Sequence, residues 1–148
     1  MALQWRRVSH GHIPRDAFIT GSQDSGRRLF VARAEHHNGM HPCKLHEGHQ
    51  DRGAHLSWGG EEHVKHSYEI LASDIGLYWR SMRVGHLPGD AVSTGYENGA
   101  PLFSVRGHVH GTTAIGKYSS QHNTAYFPYN GKEHEVRHGE VEILCFRQ

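Results

Sequence analysis

No stretch of the 148-residue sequence reaches the about 18 consecutive apolar residues that a membrane-crossing helix needs, so no membrane span is expected. Cysteine is scarce. Cys43 and Cys145 are the only two, too few for a disulfide framework, and no Cys-x-x-Cys pair exists to make a zinc knuckle or a thioredoxin-type motif. Each is read as a small buried hydrophobe, with a single bridge between them left open. Excess charge of one sign is missing too: 16 Lys and Arg against 15 Asp and Glu leave +1 with histidine neutral, which argues for no nucleic-acid partner. No window carries a convincing helical stripe. A Gly-x-Ser-x-Gly elbow, a P-loop and a dinucleotide fingerprint are all lacking. No catalytic residue, enzymatic activity or cofactor is therefore assigned.

Histidine, by contrast, is abundant, with 16 residues. Some have chelator spacing, such as His10 with His12 and His108 with His110 on one strand face, or His134 with His138 on a helix. Zinc requires three or four converging ligands with supporting partners, and neither a His-Glu-x-x-His motif nor an EF-hand loop is present. The histidines are read as scattered surface residues and no metal ligand is assigned. A histidine-rich metal-binding or pH-responsive protein without sugar binding is the alternative reading.

The chain is written twice. Trp5 to Leu71 reads like Trp79 to Leu144: Gly11-His12-Ile13-Pro14 returns as Gly85-His86-Leu87-Pro88, Thr20-Gly21 as Thr94-Gly95, and Leu29-Phe30 as Leu102-Phe103. Arg33 returns as Arg106, Lys44 as Lys117, Glu62-His63 as Glu133-His134, and Glu69-Ile70-Leu71 as Glu142-Ile143-Leu144. Between these pieces lie turn signals, among them Gly26, Gly59-Gly60, Asn98-Gly99 and Asn130-Gly131. Alternation of Phe30, Ala32 and Ala34 with Leu29, Val31 and Arg33 marks a strand whose Phe phase is expected to face inward. The expected fold is all-β: two tandem pseudo-twofold repeats of short antiparallel strands, 1–73 and 74–148, packed as a β-sandwich-like single core. Trp5 and Trp79 are read as core or sheet-edge anchors, and Arg33 and Arg106 as partners of a retained glutamate.

Lys44 and Lys117 stand apart, since each follows a glycine-containing turn at one retained position and suits a fixed hydrogen-bond donor. Acidic partners are sought in the loop after Thr-Gly, which reads Ser22-Gln23-Asp24-Ser25 in the first copy and Tyr96-Glu97-Asn98 in the second. A carboxylate beside an ammonium suits vicinal sugar hydroxyls, because the first accepts their O–H groups and the second donates to their oxygens. Tyr96 is placed to cover the C–H face of a sugar ring.

The combined pattern resembles the DM-nine repeat: Gly-x-x-Pro-x-x-Ala, Thr-Gly, Leu-Phe-x-x-Arg, a Gly-Lys or Cys-Lys turn, Gly-x-Glu and Tyr-Glu-x-Leu. The likeness covers both copies and is greatest to the short tandem-repeat mannose-binding lectins of molluscs. It implies a homodimeric, calcium-independent lectin of innate pattern recognition, with mannose-containing glycans, including those of microbial surfaces, as partners. By position it carries ligand binding to Glu97 and Lys117 in the second copy. In the first copy it carries binding to Lys44, with Gln23 where the carboxylate is expected and Asp24 one step along, so the second copy is the stronger expected site. The N-terminal segment lacks the apolar core of a secretory signal. A cytoplasmic location is expected, with release to the exterior by an unconventional route.

Overall fold

Of the seven pairs of adjacent residues that adopt positive φ, six set the hairpin connections, His10-Gly11 being the seventh. Ser25-Gly26, His37-Asn38 and Gly59-Gly60 in the first half match Asn98-Gly99, His110-Gly111 and Asn130-Gly131 in the second. Positive φ at both central residues is the signature of the type I′ turn, whose twist suits a two-residue hairpin. Each pair therefore joins two antiparallel strands. In the computed structural model, which describes residues 3–72 and 76–147, none of the described residues is helical. No helix is thus long and apolar enough to cross a membrane.

The first half forms β1 (Gln4–Ser9), β2 (Gln23–Asp24), β3 (Arg27–His36), β4 (Gly39–His46), β5 (Ala54–Trp58), β6 (Glu61–Lys65) and β7 (Ser67–Ala72). The second forms β8 (Leu77–Arg83), β9 (Ser93–Glu97), β10 (Ala100–Val109), β11 (Thr112–Ser119), β12 (Thr124–Tyr129), β13 (Lys132–Val136) and β14 (Glu140–Phe146). Their lateral order is β1-β7-β3-β4-β5-β6-β13-β12-β11-β10-β14-β8. Adding seven to each strand of the first half gives the second half in reverse, so a pseudo-twofold axis passes between β6 and β13. The expected boundary at residues 73 and 74 lies outside the described residues.

Among the described residues, strands of the two halves pair in two places. At the β6–β13 seam the two turns exchange equivalent bonds: Glu62 N–H donates to Gly131 O and Glu133 N–H to Gly60 O, both at 3.0 Å. The same side chains reach back, Glu62 Oε1 accepting from Gly131 N–H at 2.8 Å and Glu133 Oε1 from Gly60 N–H at 3.0 Å. On the far side β9 pairs with both β10 and β4, through Met40 and Tyr96. The path β4-β5-β6-β13-β12-β11-β10-β9 thereby closes into a barrel. Gly95 permits this approach, because a Cβ there would strike the Met40 carbonyl and Pro42. The shorter β2 pairs only with β3.

Buried side chains form three clusters. One gathers Phe30, Ala32, Leu56 and Ile70 from the first repeat, a second Val105, Tyr118, Phe127 and Ile143 from the other. The third joins the repeats through Leu29, Val31, Leu71, Ile115 and Leu144. Both phases of β3 are thus buried, where the alternation predicts one inward and one outward face. The Phe phase serves the repeat's own core and the Leu phase serves the junction. The retained arginines lie where expected: Arg33 Nε meets Glu69 and Arg106 Nε meets Glu142, each at 2.8 Å. Their guanidinium groups stack over Trp5 and Trp79 at 4.1 and 4.7 Å. Arg106 also donates to Thr20 O and Ser22 Oγ of the first repeat, which ties the halves together.

Candidate functional site

Lys44 and Lys117 hold equivalent positions on β4 and β11, opposite Val31 and Ser104 respectively. Both are buried, at 5% and 4% exposure, so neither is a solvated surface charge. Each ammonium crosses to the other repeat. Lys44 Nζ donates to Pro128 O at 2.5 Å, and Lys117 Nζ to Ser57 O at 2.6 Å. Burial pulls both pKa values below the ordinary lysine value, opposed by Glu62 and Asp24 beside Lys44 and by Glu133 and Glu97 beside Lys117.

Hairpin register settles which acid belongs to which lysine. Asp24 sits opposite Arg27, and Glu97 opposite Ala100, three residues on in each case. Asp24 is therefore the counterpart of Glu97, and Gln23 that of Tyr96. This corrects the placement of Gln23 at the carboxylate position, and the first repeat keeps its acid. Because side chains alternate across a strand, Gln23 and Tyr96 project from the other face of their hairpins. Gln23 lines a separate groove with Arg106 and Glu142, and Tyr96 is 51% exposed. The structure does not bring either to a lysine.

Two pairs of residues join the site that the loop comparison does not reach. Glu62 and Glu133, from the seam turns, stand beside the lysines, with Glu133 Oε2 at 3.9 Å from Lys117 Nζ. Burial favours the protonated Glu62 carboxyl, but hydrogen bonds from His55 and the Gly131 N–H together with the nearby Lys44 charge hold its pKa below normal. The aromatic at each site comes from the opposite repeat: Tyr129 at the first, and Trp58 at the second, where its indole N–H donates to Glu97 at 2.9 Å. The signal was present in the sequence, since Glu62 with Glu133 and Trp58 with Tyr129 recur in both copies.

The two sites differ in openness. Asp24, Lys44, His46, His55, Glu62 and Tyr129 line a cleft of about 510 Å³ at the first. At the second, His41 occupies the space beside Lys117, where the first site has Ala114. His41 is fully buried and Lys117 Nζ lies 3.0 Å from its Nδ1. Its Nε2 is 3.1 Å from His36 O, so Nε2 carries the proton and Nδ1 accepts from the ammonium. Burial and the Lys117 charge lower the His41 pKa to about 4. The His37 ring stacks on Trp58 at 3.9 Å and covers that side.

The histidine pairs with chelator spacing converge on no third ligand. Among the described residues, the one group of three that could hold a metal ion is His49, Asp51 and His55. Cys43 and Cys145 are free thiols in different clusters, and burial pushes both up to about 12.

The DM9 repeat profile matches residues 1–54 and 49–136. No curated protein sequence matches the chain. Among solved structures, the nematode sperm cell motility protein MFP2B superposes with a TM-score of 0.68 over 99% of this chain, at 16% identity. The chain spans 46% of that protein's length, and at such identity the likeness shows the fold alone.

Proposed function

The chain belongs to the DM9 repeat family, and from that premise we propose that it is a carbohydrate-binding protein, a calcium-independent mannose-type lectin of glycan pattern recognition. The observation that carries this reading is the recurrence, at both junctions between repeats, of a buried ammonium, two carboxylates and an aromatic ring. Adjacent hydroxyls of a mannoside suit this set. Asp24 or Glu97 accepts their O–H groups, while the lysine donates to the same oxygens and Tyr129 or Trp58 packs on the sugar's C–H face. Lys44 keeps two donors free because its carbonyl partner uses only one of three, while Lys117, which also donates to His41, keeps one. Such groups hold a ligand and need not react with it, in keeping with a non-enzymatic role.

Two sites on one rigid chain, and four in a homodimer, raise avidity for repetitive glycans such as microbial mannans without new contacts. Cytoplasmic residence with unconventional release fits such a partner. Titration calorimetry with methyl α-mannoside, with and without chelator, tests the reading. Saturable binding unchanged by chelator is expected. Lys44→Met and Lys117→Met should each abolish one site or weaken it about tenfold or more, the value of a charge-assisted hydrogen bond of about 1.5–3 kcal/mol. Absence of mannoside binding in both conditions removes the lectin reading. Full affinity in the double variant removes the site alone.

A further inference from the structure

The β4–β5 turn of the first repeat, with His55 on the adjoining cleft wall, carries a group to which no sugar contact is assigned. His49 Nδ1 lies 2.9 Å from Asp51 Oδ1, and His55 Nε2 lies 2.8 Å from Asp51 Oδ2. The three ligand atoms all fall within 4.8 Å of one another. Ligands about 2.0–2.1 Å from a tetrahedral zinc ion stand about 3.3–3.4 Å apart, so the two histidine–aspartate contacts need a small outward adjustment to admit an ion.

His55 is the telling member. It is 8% exposed, and its Nδ1 is held by Glu62 Oε2 at 2.7 Å. Its Nε2 has no aligned hydrogen-bond partner although the Asp51 carboxylate is in contact. With the proton on Nδ1, donated to Glu62, the Nε2 lone pair faces an anionic oxygen. A cation between them, a metal ion or a second ring proton, satisfies both atoms. A carboxylate that orients a histidine through one ring nitrogen and leaves the other aimed at a metal is the usual support of a zinc ligand.

The turn is also braced. Arg28 forms a two-bond ion pair with Glu47, at 2.9 and 2.6 Å, and Arg27 donates to the carbonyls of Glu47 and Gly48. Asp51 Oδ1 accepts from Gly53 N–H at 3.0 Å, and Asp51 O is 2.9 Å from His66 Nε2. The ligands are thus largely positioned before any ion arrives. The second repeat has no equivalent. Tyr126 replaces His55 opposite the lysine, and the shorter turn Ser120-Gln121-His122-Asn123 holds no carboxylate.

We infer that His49, Asp51 and His55 form a binding site for a zinc-class divalent cation, present only in the first repeat. Three protein ligands leave one coordination position for water or an incoming ligand. His49 and His55 line the cleft that contains Lys44.

Full-length protein purified without nickel resin and stripped with chelator tests this by calorimetry with zinc chloride alone. One tight site per chain is expected, resolved from weaker uptake by other histidines. Cobalt substitution should give the visible absorption of a four-coordinate ion. Asp51→Asn and His49→Ala, both at partly exposed positions, should weaken the tight site about tenfold or more, and Glu62→Gln about 10–100-fold, with urea midpoints confirming the fold. His122→Ala should leave it unchanged. No stoichiometric uptake, or a tight site that survives Asp51→Asn and His49→Ala together, overturns the inference. Because the probe is metal without sugar, either result leaves the mannoside titration to be judged separately.

Discussion

His41 should make the fold acid-sensitive by an amount that the structure permits to be worked out. Its ring is fully buried between Lys117 on β11, Glu97 on β9 and the His36 carbonyl on β3, and its pKa falls from 6.5 to about 4. Protonating Nδ1 would set an imidazolium against an ammonium 3.0 Å away. Since the folded state disfavours the charged ring, the stabilisation is complete above about pH 6.5 and is lost as pH falls toward 4. At about 1.4 kcal/mol per unit, the loss reaches about 2 kcal/mol at pH 5 and about 3 kcal/mol below pH 4. His41→Gln keeps an acceptor for Lys117 and removes the titration. Urea unfolding of both proteins at pH 7.5 and pH 5.0 should show the parent losing about 2 kcal/mol more than the variant. Stability profiles that run parallel over this range would refute the buried neutral imidazole.

Other consequences are directly measurable. Gly95→Ala should cost at least about 2 kcal/mol, because its methyl meets the Met40 carbonyl at the β9–β4 closure, while Gly89→Ala, with open space around it, should stay within about 0.5 kcal/mol. Thermal melts would read the first as a fall of about 4–8 °C, and equal melting of the two variants would count against the closure. Arg106→Lys should destabilise the chain more than Arg33→Lys, since Arg106 alone adds bonds to Thr20 and Ser22 across the junction. Matching urea midpoints would deny that role. Neither thiol should react with a disulfide reagent at pH 8 before denaturation, given values pushed up to about 12; prompt labelling of the native protein would contradict their burial.

Much of the fold was legible because the chain carries its own comparison. Recurrence of Asn-Gly and Gly-Gly pairs marks the hairpins, and recurrence of Arg33 with Glu69 marks the ion pair that Arg106 repeats with Glu142. The acid partner was misplaced by one residue, because spacing across a loop of changing length cannot assign register, whereas the Asp24–Arg27 pairing does. Trp58 and Tyr129 share a phase with core residues, and alternation alone does not reveal that a strand end leaves the core for a cleft. The His49, Asp51 and His55 group escaped for the opposite reason. Weighing residues by recurrence keeps His49, which returns as His122, and discards Asp51 and His55, which only the first copy owns.

The reciprocal bonds of Glu62 and Glu133 at the β6–β13 seam have a further consequence. Like a symmetric dimer's interface, this contact is self-complementary, each surface meeting its own counterpart. A single repeat made as a separate chain would carry both halves of the handshake, and a naked patch at Leu29, Val31 and Leu71. It should therefore pair with itself, and neither pocket would exist until it did, since each lysine is capped by the other repeat's carbonyl. In the tandem chain, covalent linkage makes that encounter intramolecular. Ligand recognition is thereby freed from protein concentration, a form of independence that two unlinked halves would lack.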